Sequence, residues 1–268
     1  MTSIPRWPQK LSDVLAKCVP SAVAVSGGVD SMTLAYIAHS ILGEGVTMFH
    51  AVSAAVPASA TQRVKAYAHE LGWQLKVIDA GEFADERYLT NPANRCFFCK
   101  SNLYGTLASM TRQQLLSGTN VDDLGDWRPG LKAAEKSGVR HPFVEAGMTK
   151  ADVRAAASAC GLHDVAELPS APCLSSRVET GIRIEAQVLH AIDEVETLLR
   201  RELRPETVRC RVRSNGLAIE LDTPTFANLS EQRRAALGQA IQLIFGQTRI
   251  EFTTYKRGSA FLQETMNG

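Results

Sequence analysis

Six consecutive residues, Ser26-Gly27-Gly28-Val29-Asp30-Ser31, constrain this chain more than any other stretch. They join an apolar run, Ala22–Val25, to a helical pattern, Val29–Leu42, that reads as amphipathic. Two adjacent glycines let the backbone turn tightly and aim several N–H groups at one point. The start of a helix adds partial positive charge there, so the turn favours an anion. The hydroxyls of Ser26 and Ser31 are suited to donate to phosphate oxygens. Asp30 would repel a bare phosphate, which implies a bridging Mg²⁺. The bland alternative is a capped strand-to-helix turn, but the whole string in this context favours a nucleotide. There is no Gly-x-x-x-x-Gly-Lys-Ser/Thr, so this is not a Walker-type loop.

The surrounding pattern supplies a sheet for that loop. Apolar runs at Val46–Val52, Leu75–Ile78 and Gln114–Leu116 alternate with helical patterns at Ala60–Leu71 and Leu103–Met110. Gly72 is placed to end the first of these helices. This order predicts an α/β fold with a parallel sheet covered on both faces. A second string, Gly118-Thr119-Asn120-Val121-Asp122-Asp123, follows the fourth strand, where open α/β sheets place ligands. Gly118, Asn120 and Asp123 are therefore candidates for the nucleotide, and Asp122 or Asp123 for Mg²⁺, the alternative being a solvent turn with acidic residues. Thr149–Cys160 reads as a helix capped by Thr149, with Asp152 completing a capping box. Beyond Glu167–Ile182 the pattern changes. A long helix, Ala186–Leu203, precedes two strands, Val208–Val212 and Leu217–Leu221, then a helix at Leu229–Phe245 and a strand at Thr248–Thr254. The expected organisation is a nucleotide-binding domain over residues 1–168 and a smaller α+β domain over 169–268.

Composition excludes several classes. With 29 Lys+Arg against 28 Asp+Glu the formal charge is +1, which argues against coating nucleic acid by bulk charge. No apolar run approaches the ~18–20 residues of a membrane span. The first ten residues carry Pro5, Arg6 and Pro8 and no apolar segment, so neither a secretory signal nor a membrane location is expected. Six cysteines in 268 residues are too sparse for a disulfide scaffold and suit the reducing cytoplasm.

The cysteines divide in two. Cys18, Cys160 and Cys210 lie in apolar patterns and read as core residues. Cys96-Phe97-Phe98-Cys99 stands between Arg95 and Lys100, and its two thiols can grip one metal or an iron–sulfur cluster. A redox dithiol is the alternative. Cys173 lies in Pro169-Ser170-Ala171-Pro172-Cys173-Leu174-Ser175-Ser176-Arg177. Two prolines stiffen that stretch, and Arg177 is placed to steady a thiolate or a phosphate. Three thiolates with no fourth ligand suit a reactive site better than a structural one. The six histidines show no metal-ligand spacing. In Arg209-Cys210-Arg211-Val212-Arg213, period two puts three guanidinium groups on one strand face. Such a row suits a ligand with phosphate and carboxylates, although a solvated strand face has the same pattern.

Taken together, the phosphate loop, Arg95-Cys96-Phe97-Phe98-Cys99-Lys100 and the Cys173 string resemble the LarE family. These are ATP-dependent sulfur transferases of the PP-loop ATP pyrophosphatase superfamily that help build the nickel-pincer nucleotide cofactor. Asn120-Val121-Asp122-Asp123 with Asp126-Trp127-Arg128-Pro129-Gly130, and Gly147-Met148-Thr149-Lys150 with Val153-Arg154, extend the likeness from about Val23 to Ser259. The resemblance implies an adenine nucleotide α-hydrolase-like first domain and AMP-forming cleavage of ATP. It implies an acyl-adenylate of a pyridinium dicarboxylate mononucleotide, converted to a thiocarboxylate. It makes Cys173 catalytic, with Asp30 and Arg177, and brings Trp127 and Arg128 to the substrate. For the substrate phosphate it favours Arg211 and Arg213, with Arg209 as a further candidate. It also implies a homo-oligomer. In one branch of the family the Cys173 equivalent is sacrificed to dehydroalanine. In the other, three cysteines hold a [4Fe-4S] cluster that carries sulfide. All three candidate ligands, Cys96, Cys99 and Cys173, are present, so the cluster branch is the expectation.

Two features depart from the family pattern. The hairpin after Arg213 is short. Near the C-terminus the family has an Asp before a Gly-Tyr-Arg-Ser-Gly-Ser-like string, whereas this chain has Glu251 and then Thr254-Tyr255-Lys256-Arg257-Gly258-Ser259. Glu251 is thus a longer candidate for the same Mg²⁺ or substrate contact. Glu196 reads either as a site residue or as a solvated helix carboxylate. The competing functions are a tRNA thiolase, which needs a basic RNA surface, and an amide-forming ligase, which needs none of the three cysteines together. A non-enzymatic binding module would survive loss of Asp30 and Ser31.

Overall fold

The structure is a computed structural model describing residues 7–125, 129–169 and 172–256. Trp127 and Arg128 therefore lie outside the described residues, as do Arg257, Gly258 and Ser259. Contacts divide the chain into two units. One comprises Met1–Asp85 and Asn94–Ala171, the other Glu86–Ala93 and Pro172–Gly268.

The first unit opens with helix α1 (Gln9–Ala16) and is organised by β1 (Ser21–Ala24), α2 (Val29–Leu42), β2 (Val46–Ala51), α3 (Ala58–Leu71) and β3 (Leu75–Ile78). A short helix, α4 (Glu86–Leu89), belongs to the second unit. The first unit resumes with α5 (Arg95–Met110), β4 (Gln114–Leu116), α6 (Pro129–Lys136), α7 (Pro142–Ala146), α8 (Lys150–Ala159) and α9 (His163–Ala166). The four strands form one all-parallel sheet in the order β3-β2-β1-β4. Strand alternation splits the core across it. Val23 and Met48 join α2, α8 and α9 on one face, whereas Ala22, Phe49 and Leu115 join α5 and α6 on the other.

Helix α2 differs from the amphipathic expectation. Val29, Ser31, Met32, Thr33, Leu34, Ala35, Ile37 and Ala38 are all buried, because helices cover it as well as the sheet. A helix enclosed in this way has no polar face to keep. Gly72 caps α3 in the left-handed region (φ 67°), and the Thr149–Asp152 capping box opens α8, as their residue types imply.

The second unit carries α10 (Ala186–Leu203), β5 (Val208–Arg213), β6 (Gly216–Leu221), α11 (Thr223–Ala227), α12 (Glu231–Phe245) and β7 (Ile250–Thr254). Strands β5 and β6 pair antiparallel across a two-residue turn, Ser214-Asn215, and β7 lies parallel beside β6. Leu189, Ile192, Val195 and Leu199 of α10 are buried, as are Val208 and Cys210 of β5. At ~1.5–3 kcal/mol for each large side chain fully buried, this apolar face is the main source of the unit's cohesion. No helix among the described residues is long and apolar enough to cross a membrane.

Candidate functional site

The phosphate loop leaves β1 at the sheet's topological switch point. The chain moves to β2 and β3 on one side of β1 and to β4 on the other, and ligands lodge where the order reverses. Gly27 adopts φ +83°, and a Cβ there would stand 2.8 Å from the Ala60 carbonyl oxygen. Only glycine meets both conditions. Arg63 Nη1 donates to the Gly27 carbonyl at 2.8 Å. Ser31 Oγ accepts from the Ser26 N–H at 3.0 Å and donates to the Gly28 carbonyl at 3.1 Å. Ser31 therefore closes the loop on itself, and the more exposed Ser26 hydroxyl is the better placed for a ligand. Val29 is buried in the core, so only its backbone can serve the site. Beneath the loop, buried His50 holds the Val25 carbonyl at 2.8 Å and Thr61 Oγ1 at 2.9 Å. Burial outweighs the Val25 contact and lowers its pKa, favouring the neutral ring.

The second string comes to the same place. A Cβ on Gly118 would lie 2.7 Å from the Asp30 carbonyl carbon and 2.9 Å from the Ser31 nitrogen. Both are backbone atoms that cannot swing aside, so β4 meets the phosphate loop only through glycine. Asn120 Nδ2 donates to Asp30 Oδ1 at 3.2 Å, and its backbone N–H donates to Asp123 at 3.1 Å. Asp122 receives the backbone N–H of Lys150 at 2.9 Å. Asp122 and Asp123 thus shape the backbone around Asp30. Ser117, just before this string, bonds His141 Nδ1 at 2.8 Å.

Lys150 itself was not among the residues expected at the site. Its ammonium pairs with Asp30 Oδ2. Both side chains keep about a third or a quarter of their exposure (34% and 26%), so the pair is worth ~0–1 kcal/mol. A polyphosphate or its Mg²⁺ can exchange with either partner at little cost. The signal lay in Thr149-Lys150, where a helix cap and a cation coincide.

Helix α5 begins at Arg95, earlier than the Leu103 expected from its apolar pattern. Cys96 and Cys99 thus lie within the helix and not before it. The early start has a tertiary cause. Gly130 of α6 allows close packing on Lys100, and Lys136 stands 5.1 Å from the Phe97 ring. At i and i+3 the two cysteines share a helix face. Cys96 is exposed and Cys99 half-buried. Cys18, Cys160 and Cys210 are buried.

In the second unit, Cys173 is exposed and precedes a single 3₁₀ turn, Leu174–Arg177, all four of whose residues are buried. Arg177 is 1% exposed. Its guanidinium donates to both carboxylate oxygens of Glu196 at 2.8 and 3.1 Å, and to the carbonyls of Pro172 at 2.6 Å and Cys173 at 3.3 Å. Glu196 is fully buried, so it is not a solvated helix carboxylate; its carboxylate is engaged within the unit by Arg177. It also accepts from the Cys210 N–H at 3.1 Å and from Arg200 at 2.6 Å. Burial works to raise the Glu196 pKa, but Arg177, Arg200 and Arg209 outweigh it and hold the carboxyl below its ordinary range. Arg177 therefore shapes the Cys173 turn with a fork already engaged.

The arginine row is less open than its alternation implied. Arg209 and Arg211 are buried, because the β5 face is covered along most of its length. Arg211 donates to Glu220 at 2.8 Å and to the Ser176 carbonyl at 3.0 Å. Arg213, at the strand end, reaches Glu220 at 3.3 Å and keeps 29% of its exposure. It lines a polar cavity of about 310 Å³ with Arg249, Glu251 and Lys256.

Among the described residues, no three His, Cys, Asp or Glu side chains gather as a metal-holding group. The soft donors suited to a thiophilic group are divided, Cys96 and Cys99 in one unit and Cys173 in the other.

No family model matches the chain. Individual relatives are informative. A protein of Synechocystis sp., itself uncharacterized, is 34% identical over 82% of this chain and 82% of its own. The pyridinium-3,5-bisthiocarboxylic acid mononucleotide synthase of Lactiplantibacillus plantarum is 30% identical over 74% of this chain and 73% of its own. The chain belongs to the LarE family. An uncharacterized protein of Methanocaldococcus jannaschii is similar at 28% identity over 75% of this chain and 77% of its own. Within the LarE family, the four-stranded parallel sheet and the separate three-stranded sheet fit a PP-loop domain followed by a C-terminal domain.

Proposed function

We propose that this protein is an ATP-dependent sulfur transferase that converts a carboxylate of a pyridinium dicarboxylate mononucleotide to a thiocarboxylate. The observation that carries the reading is Cys173, an exposed thiol immediately before a turn whose every residue is buried, with the Pro172 and Cys173 carbonyls held by Arg177. The similarity to the Lactiplantibacillus plantarum synthase supports the substrate class.

In the first step a substrate carboxylate oxygen attacks the α-phosphorus of ATP, and pyrophosphate departs. The N–H groups of the 26–31 loop and Lys150 stabilise the charge that develops on the leaving phosphates. Asp30, exchanging Lys150 for Mg²⁺, would hold the ion that neutralises them, with Asp122 close behind. In the second step sulfur adds to the acyl carbon and AMP leaves. A carboxylate is a poor electrophile, and adenylation supplies the leaving group that a thiolate can displace. Arg213, with Arg249 and Lys256 around the 310 Å³ cavity, offers cations for a phosphate or carboxylate, and Glu251 lies among them. Arg209 and Arg211 shape that face from below.

The sulfur has two candidate sources. If Cys173 is consumed, its thiolate forms the thioester, a base removes the Cα proton, and the Cβ–S bond breaks. The thiocarboxylate leaves and dehydroalanine remains. If Cys96, Cys99 and Cys173 together hold a cluster, the cluster would supply the sulfide and Cys173 would survive.

Anaerobic purification with iron and acid-labile sulfide assays tests this on wild type and on Cys96→Ala, Cys99→Ala and Cys173→Ala. About four irons per chain, lost in each variant, would establish the cluster. Absence of iron together with intact-mass conversion of Cys173 after turnover would establish sacrifice. No thiocarboxylate from the dicarboxylate mononucleotide under either regime would refute the proposed function.

A further inference from the structure

The short segment Glu86–Ala93 packs with the C-terminal unit although the chain on either side of it belongs to the other. Its bonds converge on the Cys173 turn and the chain that follows it. The Tyr88 hydroxyl lies 2.5 Å from Ser175 Oγ, with both side chains buried. Asn91, fully buried, donates through Nδ2 to the carbonyls of Glu179 at 2.8 Å and Ile182 at 2.9 Å. The Asn91 carbonyl accepts from the Gly181 N–H at 3.0 Å, and the Leu89 carbonyl accepts from Ile184 at 2.9 Å. Asn91 does this at φ 55°, in the left-handed region that asparagine tolerates better than most side chains. From Ala93 the chain then runs into α5, which carries Cys96 and Cys99.

We propose that Tyr88 and Asn91 are positioning residues for Cys173, a clasp that holds the 175–184 chain so that the thiol is presented in one orientation. The inference rests on the sulfur-transfer reading for its chemical purpose. The physical basis is that an exposed nucleophile is oriented only by its backbone. Arg177 fixes that backbone on one side, by the Pro172 and Cys173 carbonyls. Tyr88 fixes the next residue but one, Ser175, from the other. Without the clasp the turn would keep Arg177 and the Arg211 bond to the Ser176 carbonyl but lose its hold on Ser175 and on the chain over 179–184, and a displacement near ~1 Å is enough to cost a reacting atom its approach.

The test uses the full chain with Tyr88→Phe and Asn91→Gly. The first keeps the ring and removes the hydroxyl. The second keeps the positive φ accessible and removes the amide donors. Hydrogen exchange followed by mass spectrometry reads peptides covering 172–184 and 208–221. Kinetics separate thiocarboxylate formation from ATP–pyrophosphate exchange driven by the carboxylate substrate. In both variants exchange over 172–184 should accelerate about tenfold while 208–221 stays unchanged. The kcat for thiocarboxylate should fall about tenfold with substrate KM and adenylation within about twofold. Arg183→Gln, which removes an exposed ion pair with Glu86, should change neither. If Tyr88→Phe does not fold, Asn91→Gly decides alone. Unchanged exchange over 172–184 overturns the proposal, as does acceleration shared equally with 208–221. A loosened turn with undiminished transfer also overturns it. Should wild type form no thiocarboxylate, the functional reading fails while the exchange comparison still decides whether the clasp holds the turn.

Discussion

Replacing Glu196 by Gln isolates the charge that stabilises the interior of the C-terminal unit. The glutamate is fully buried, faces Arg177 at 2.8 and 3.1 Å, and takes the Cys210 N–H and Arg200 besides. Glutamine keeps the volume and one acceptor oxygen for Cys210. It removes the negative charge and leaves buried Arg177, and Arg209 near it, without their counter-ion. Breaking a buried pair from one side costs about 3–5 kcal/mol, because the partner's desolvation is no longer offset. At tenfold per ~1.4 kcal/mol, exchange governed by opening of this unit should accelerate between roughly a hundredfold and a few thousandfold. Amide exchange over residues 186–221 is the assay. Tryptophan fluorescence is the internal control, since Trp7, Trp73 and Trp127 all fall within the first unit's sequence. The tryptophan-reported urea transition should stay in place. The double variant Arg177→Met/Glu196→Leu should recover part of the loss, since Arg177 is then no longer buried without its partner while Arg209 still lacks Glu196. An effect of Glu196→Gln below about 1 kcal/mol would refute the reasoning. It would mean that water or a side-chain rearrangement already screens the pair.

Gly118→Ala should weaken binding of ATP with Mg²⁺ by at least about tenfold in calorimetry and lower stability by ~1–3 kcal/mol. The added methyl meets the Asp30 and Ser31 backbone at 2.7–2.9 Å, and the loop must shift. Lys150→Met should lower the rate of pyrophosphate release by about a hundredfold, the scale of one lost charge-stabilising donor, in a coupled phosphate assay. It should leave the melting temperature nearly unchanged, because its ion pair with Asp30 is partly exposed. Acid should loosen the C-terminal unit. The Glu196 carboxyl is held below its ordinary value in the fold, so the unfolded chain binds that proton more readily. Its contribution is complete above the ordinary carboxylate pKa and is lost as pH falls through the lower folded value. Exchange over 186–221 at pH 3 and pH 6, corrected for intrinsic rates, should show that direction in wild type and not in Glu196→Gln.

The parallel sheet was legible because its signals are local. Strand runs of the right length alternate with helices, and Gly27, Gly72 and Thr149 are residue types with few other uses at those positions. Positions along the chain were equally informative for β5 and β6, whose alternation and short turn are visible directly. Short helices such as α1, α7 and α9 carry no such mark. They are too brief for periodicity to accumulate, and tertiary packing decides them. The start of α5 was missed for the same reason, since the contacts that extend it to Arg95 come from Lys136 and Gly130 in α6.

Charge is where sequence and structure part most clearly. Alternation placed Arg209, Arg211 and Arg213 on one face, but alternation is silent about what covers that face. Glu220 lies across the ladder from Arg209 and accepts from Arg211, while Arg177 and Glu196 close the interior below Cys173. Arg177 and Arg211 are thus engaged in holding the turn, with Glu196 and Glu220 as their counter-ions. The same argument explains Lys150, which stands in the Gly147-Met148-Thr149-Lys150 string of the family likeness but in no pattern that assigns it a phosphate. Its place as the first residue of α8, just after the Thr149 cap, is a local feature, but its partner Asp30 lies 120 residues away in sequence. Where the fold delivers a cation decides whether a phosphate can reach it, for Lys150 as for the arginines. The distinction between a ligand-binding charge and a scaffold charge therefore belongs to burial, and Arg213, at the strand end with 29% of its side chain exposed, is the member of the row that the proposed function assigns to the ligand.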